Sequence, residues 1–204
     1  IRGSSPLSDT FYRYAPAVMS IPQSQTPLDR ALSLIADVPD YPKPGILFKD
    51  ITPLLADGPG FGVVIDEFAR AIRSLNRSID AIVGIESRGF ILGGAIAKAL
   101  EIGFVTVRKP GKLPREVYRK EYALEYGFDA LELHKDLLHK GDNVIIVDDV
   151  LATGGTALAC HDLVSITQAN VVAHLFMLEI EFLRGRKVIF DTHPDVSIIS
   201  LLKA

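Results

Sequence analysis

Residues 144–156 read Val-Ile-Ile-Val-Asp-Asp-Val-Leu-Ala-Thr-Gly-Gly-Thr, and no other stretch restricts the fold of this chain so severely. Val144 to Val147 is a short, β-branched apolar run, which predicts a strand buried on both faces of a parallel sheet. Asp148 and Asp149 follow at its C-terminal end, then a loop of small residues from Ala152 to Thr156, then a helical pattern from Ala157 to Val164. A fully buried strand does not tolerate two bare carboxylates, so the pair is expected where the strand emerges into a crevice. In open α/β sheets that crevice, beyond the carboxyl ends of the strands, is where ligands bind. Gly154 and Gly155 allow backbone N–H groups to converge, and a helix N-terminus adds partial positive charge. Together they make a cradle for phosphate. An acid pair beside such a cradle implies a ligand with both a phosphate and vicinal hydroxyls, which describes a phosphorylated ribose.

The surrounding sequence alternates in α/β fashion. Strands are expected at Ala81–Ile85, Phe104–Arg108, Ala130–His134, Val171–Leu178 and Ile198–Leu202. Helices are expected at Leu28–Val38, Gly60–Leu75 and Phe90–Leu100. At 204 residues and 48% apolar content the chain supports one sizeable domain. We divide it into an extended or partly disordered arm over 1–27 and a single domain over 28–204. The domain carries a small hood of strand and loop at about 39–55, and a long, polar, charged segment at 109–126. A loop that long inside a domain is usually functional, often a lid. A net charge of -3 gives no sign of nucleic-acid or membrane affinity. Cys160 is the single cysteine, so no internal disulfide forms and a reducing compartment is expected. Its place inside a helix suggests a buried thiol rather than a nucleophile.

A second loop repeats the first geometry. Gly84-Ile85-Glu86-Ser87-Arg88-Gly89 ends one buried strand and starts a helix, with Arg88 as a fixed cation able to chelate phosphate oxygens. Two anion sites suggest a ligand with phosphates at both ends. The 109–126 segment, with Arg108, Lys109, Lys112, Arg115, Arg119 and Lys120, then reads as a basic flap over a pyrophosphate, excluding water. Glu125 and Tyr126 lie at its end. The five histidines show no metal-type spacing and read as structural or exposed. No Walker A lysine follows Gly154-Gly155, and no Rossmann G-x-G-x-x-G is present.

The 144–156 run resembles the phosphoribosyl pyrophosphate (PRPP) motif of the type I phosphoribosyltransferases. Within that superfamily, residues 41–55, 84–90, 108–114 and 124–127 resemble the adenine phosphoribosyltransferase family. The resemblance spans about 38–202, in order. It implies an α/β fold with a mainly parallel twisted sheet flanked by helices, a small N-terminal hood and a flexible lid loop. It also implies transfer of a 5-phosphoribosyl group from PRPP to adenine, giving AMP and pyrophosphate. Asp148 and Asp149 would then bind the ribose hydroxyls, while Ala152, Thr153, Gly154, Gly155 and Thr156 cradle the 5′-phosphate. Glu86, Ser87 and Arg88 would meet pyrophosphate, supported by Arg108, Lys109 and Lys112. Adenine would be read largely by main chain at Leu47 and Lys49, with Phe48 between them. The family often has arginine where this chain has Lys49. Glu125 would handle the purine proton with Tyr126 beside it, so Glu125 and Arg88 are the expected catalytic pair. Mg²⁺ is the expected cofactor, held mainly through PRPP or pyrophosphate, with no protein metal ligands assigned. The resemblance also implies a cytoplasmic homodimer, with contact surfaces near the hood and 90–100.

Three other readings compete. One is a sibling transferase for xanthine, hypoxanthine or guanine. Another is a non-enzymatic PRPP-binding regulator that binds nucleic acid; the arm's two arginines, Arg2 and Arg13, argue against it. The third is a PRPP synthase, which needs a longer, duplicated chain and an ATP site.

Overall fold

In the computed structural model, which describes residues 25–123 and 127–204, the hood forms first. Helix α1 (Pro27–Leu32) starts at a capping box in which Thr26 and Asp29 satisfy each other's backbone N–H groups. It ends well short of the expected Val38. Residues Ala36–Pro39 form strand β1, which pairs antiparallel with β2 (Leu47–Asp50) from Ala36↔Asp50 to Pro39↔Leu47. Pairing across the hood thus overrides a helical spacing that was itself only two turns long. The rest of the expected hood loop winds into α2 (Thr52–Ala56), which buries Leu54. Asp57 caps α3 (Gly58–Ser74) by accepting from Gly60 N at 2.7 Å, and Val64, Ile65, Phe68 and Ile72 face inward.

The core continues through β3 (Ala81–Ile85), α4 (Arg88–Leu100) and β4 (Gly103–Val107). A hairpin of β5 (Val117–Ala123) and β6 (Phe128–His134) follows. Then come β7 (Asn143–Leu151), α5 (Gly155–Ile166), β8 (Asn170–Glu179), α6 (Gly185–Thr192) and β9 (Ser197–Lys203). Five strands make one parallel sheet in the order β4-β3-β7-β8-β9. Side chains of β7 alternate between its two faces. Ile145 and Val147 join the core under α1 to α4, whereas Val144 and Ile146 join the core under α5 and the hairpin. Both faces are therefore covered, as the unbroken β-branched run required.

Two further elements differ from expectation. The polar segment at 109–126 holds strand β5, which pairs with β6 from Val117↔His134 to Ala123↔Phe128. Its period-two pattern lies in the aromatics: Tyr118 and Tyr122 pack on the core while Arg119 and Glu121 are exposed. Helix α6 has no counterpart in the sequence reading, because it is only eight residues long and buries only Gly185 and Ile189.

The expected structural role of the histidines holds for three of them. His161 on α5 shares a proton with His174 on β8, Nδ1 to Nε2 at 3.0 Å, and stacks on His193 after α6 with ring centroids 3.5 Å apart. The cluster ties the helix behind the phosphate loop to its neighbours. Burial, reinforced by the neighbouring imidazoles, pushes His161 down to about 4 and His174 to about 3. An unfolded chain protonates these groups near 6.5, so their contribution to stability is complete above that pH and is lost as the pH falls toward 4. Each unit of displacement corresponds to roughly 1.4 kcal/mol. Thermal melts across pH 4 to 6.5 are expected to show a steeper loss for the wild-type protein than for His174→Phe. Equal slopes would remove the cluster as the cause.

Candidate active site

Strand order reverses between β3 and β7, and the chain leaves both strands at the same edge of the sheet. β3 pairs with β7 from Ala81↔Val144 to Gly84↔Val147 and no further, because the chain turns at Glu86 into α4. Beyond Val147, β7 continues to Leu151 with only β8 beside it, through Asp148↔Phe176 and Val150↔Leu178. The strand thus runs four residues past the C-terminal end of the apolar run. Asp148 and Asp149 sit on the stretch that has lost one neighbour. This is the crevice at a topological switch point, where α/β sheets bind ligands.

Pleating sends the two carboxylates to different neighbours. Asp148 lines a cavity of about 80 Å³ together with Ala152, Thr153, Gly154 and Thr156. Asp149, 4% exposed, forms an ion pair with Arg88 at 2.9 Å. Burial and the adjacent Asp149 charge push the Asp148 carboxyl well above its ordinary range. Asp149 is raised by burial too, with Arg88 opposing the shift. An acid pair that binds a proton this readily is equally suited to hydroxyl donors or a hydrated cation.

The loop after β7 has the predicted cradle form. Gly154 adopts φ 87° as it enters α5, a conformation that favours glycine, and α5 presents its N-terminus at Gly155 and Thr156. The floor of the loop is Gly185. A Cβ there would lie 2.2 Å from Ala152 O and 2.9 Å from Gly154 N. On the other side, a Cβ at Gly89 would lie 2.6 Å from Val147 O and 3.3 Å from the Asp148 carboxylate. Two bare glycine backbones therefore fix the loop and the acid pair from behind. Gly89 closes the second loop motif of the sequence, whereas nothing in the sequence marks Gly185.

The second loop supplies the cations. Its Glu86–Ser87 peptide bond is cis, and Arg88 is the first residue of α4. The Arg88 guanidinium also lies 5.4 Å from the ring of Phe48, which brings the hood beside the start of α4. Glu86 accepts from Arg108 Nε at 3.3 Å and Lys109 N at 2.9 Å, and pairs with the Lys112 ammonium. Burial alone would raise Glu86, but the bonds from Lys112, the Lys109 backbone and Arg108 lower it. The Lys109 side chain turns away from this loop and pairs with Asp129 on β6. In the hood, the Lys49 ammonium is held by Asp37 at 2.7 Å, its direct partner across the β1–β2 ladder. Leu47 is half exposed. Glu125 and Tyr126 lie outside the described residues. Arg88, Arg108, Lys109 and Lys112 are each paired with a carboxylate, so an incoming polyphosphate exchanges anions rather than meeting bare cations. Among the described residues, no group of three or more His, Cys, Asp or Glu is arranged to hold a metal ion. No helix there is long and apolar enough to cross a membrane.

A sugar-phosphate cradle and a cationic loop on the two strands of the switch point define a phosphoribosyltransferase fold. The Phosphoribosyl transferase domain model matches residues 54–196. The adenine phosphoribosyltransferase of a Nocardioides species is 53% identical over 90% of this chain and 100% of its own length. That of Geotalea uraniireducens is 48% identical over 86% of this chain and 99% of its own. Among solved structures, adenine phosphoribosyltransferase from Thermoanaerobacter pseudethanolicus superposes with a TM-score of 0.81 at 46% identity, covering 87% of this chain and 99% of that one. The Saccharomyces cerevisiae enzyme, crystallised with an iminoaltritol bisphosphate and adenine, gives 0.81 at 39% identity, covering 86% and 98%. The chain belongs to the adenine phosphoribosyltransferase family.

Proposed function

We propose that this protein transfers the 5-phosphoribosyl group from PRPP to adenine, releasing AMP and pyrophosphate in purine salvage. The observation that carries the reading is the placement of the acid pair and the glycine cradle on β7, next to the Glu86–Arg88 loop on β3. One sugar can thus lie between two phosphate sites. The family relationship supports adenine as acceptor.

The anomeric C–O bond to pyrophosphate breaks as the purine nitrogen approaches, leaving positive charge on the ribose in an oxocarbenium-like transition state. Asp148 and Asp149 hold the ribose hydroxyls, and Ala152, Thr153, Gly154, Gly155 and Thr156 hold the 5′-phosphate. The sugar is then fixed in line with the base. Glu86, Ser87 and Arg88, with Arg108 and Lys112, receive the departing pyrophosphate. The hood positions adenine along Leu47, Phe48 and Lys49. With the Lys49 side chain tied to Asp37, recognition falls to the main chain and the Phe48 ring. Glu125 handles the proton on the base, with Tyr126 beside it. Mg²⁺ would be held mainly through PRPP or pyrophosphate, with the Asp148 carboxylate able to accept from its coordinated water, and when bound would neutralise charge on both. A cytoplasmic homodimer is the form we assign to the enzyme, on family grounds, and the buried lone thiol of Cys160 accords with a reducing setting.

Incubation with PRPP, Mg²⁺ and each of adenine, hypoxanthine, guanine and xanthine is expected to yield AMP and equimolar pyrophosphate from adenine. Turnover of the other three should be at most marginal. Glu125→Ala is expected to lower kcat with adenine by about 10²–10⁴. Faster conversion of another purine would overturn the acceptor, and an unchanged kcat in Glu125→Ala would overturn its role.

A further inference from the structure

The phenol of Tyr122 lies where three elements meet. Its hydroxyl is 3.3 Å from Lys109 Nζ, 3.3 Å from Asp129 Oδ2 and 3.4 Å from Thr156 Oγ1. Thr156 is the second residue of α5 and belongs to the phosphate cradle. Lys109 and Asp129 form an ion pair that lowers Asp129. A second bridge, Lys120 to Asp162 at 2.8 Å, docks the same face of β5 on α5. The hairpin therefore holds the Tyr122 hydroxyl against the cradle residue Thr156 and the Lys109 ammonium one hydrogen bond further out, while the Lys109 backbone N–H remains on Glu86.

We propose that Tyr122 and Lys109 serve the 5′-phosphate end of the ligand, with Asp129 positioning the Lys109 ammonium beside the cradle. This rests on the reading of the site as a phosphoribosyl site. The chemistry is an exchange of acceptors. Tyr122 and Lys109 both direct hydrogens at Asp129. A phosphate in the cradle offers a doubly charged acceptor within reach of Thr156, so the tyrosine hydroxyl re-aims at it and Lys109 is shared between phosphate and Asp129. Because both donors ride on or pack against the hairpin, 5′-phosphate binding and hairpin docking become one event. Lys109 thereby separates from Arg108 and Lys112, which stay with Glu86 at the pyrophosphate loop.

The test compares two probes on the full-length protein by calorimetry: ribose 5-phosphate, which needs the cradle, and Mg²⁺-pyrophosphate, which needs the other loop. Tyr122→Phe keeps the ring and removes one donor to a charged group. It is expected to weaken ribose 5-phosphate about tenfold and to leave pyrophosphate within about twofold. Lys109→Gln is expected to show the same selectivity. Equal weakening of both probes in the two variants, or a larger loss for pyrophosphate, overturns the assignment. If wild-type protein binds ribose 5-phosphate and Tyr122→Phe binds it equally well, the role of Tyr122 at the 5′-phosphate falls while the phosphoribosyl reading stands. If wild-type protein does not bind ribose 5-phosphate, both fall.

Discussion

Gly185→Val is expected to cost at least about 100-fold in kcat/KM for PRPP, although residue 185 lies outside every loop that touches ligand. The reason is steric. A Cβ at 185 would stand 2.2 Å from Ala152 O, far inside contact distance, and both the clashing atom and the next nearest, Gly154 N, are backbone. Neither can swing aside as a side-chain tip does, so the cradle itself must move. Displacements of about 1 Å in a positioned site cost on the order of 10²-fold in rate. Gly154 provides the reciprocal view, since a Cβ there would lie 2.9 Å from Gly185 O. The loss should be visible as weakened ribose 5-phosphate binding, with pyrophosphate binding largely intact. Gly62→Ala, on the exposed side of α3, is the control. A Cβ there meets nothing within 4 Å, and alanine favours the helix, so activity should be unchanged and Tm equal or higher. Full ribose 5-phosphate affinity in Gly185→Val would show that α6 does not support the cradle.

Asp148→Asn is expected to separate stability from activity. The substitution is nearly isosteric but replaces a carboxylate that can accept from both a sugar hydroxyl and a hydrated cation. We therefore expect kcat/KM to fall by about 100-fold or more. Stability should move the other way. Burial and Asp149 raise the Asp148 carboxyl above its ordinary 3.8, so the folded chain holds this proton more tightly than the unfolded chain. That preference favours folding at acid pH. It is lost as pH rises from 3.8 through the raised folded value, above which a buried charge beside a second carboxylate opposes folding. Asn removes that opposition. Melting curves at pH 4, 6 and 8 should show Asp148→Asn gaining on wild type as pH increases. A gain confined to pH 4, or a uniform loss, would contradict this account. The histidine cluster acts with the opposite sign, so comparing each variant with wild type is what isolates either effect. Activity sites commonly carry such a stability cost.

Most strands were legible because burial on two faces leaves a strong, local mark. The runs at 81–85 and 144–147 each reappear inside an observed strand. Helix α3 was legible for a similar reason, since Val64, Ile65, Phe68 and Ile72 repeat at helical spacing. Elements lacking that mark were misread or missed. Strand β1 was taken into a helix because its partner β2 lies across a turn. Strand β5 was hidden because its inward positions are Tyr118, Lys120 and Tyr122, which alternate in amphipathic rather than purely apolar residues. Helix α6 was missed because its main contribution is a glycine whose importance lies in what it lacks.

By itself the sequence determined that this chain has a parallel α/β core, a glycine loop after an acid pair, and a second loop carrying Arg88. Each is written in contiguous residues whose local chemistry has few other uses. Only the tertiary structure decided that the two loops leave adjacent strands, β3 and β7, at the reversal of strand order. Only it showed Asp148 facing the 152–156 loop while Asp149 faces Arg88, and Gly185 and Tyr122 both meeting residues of that loop. Those relations join residues far apart in the chain through strand pairing and close backbone contact, and no local pattern of residue types encodes a distance of that kind.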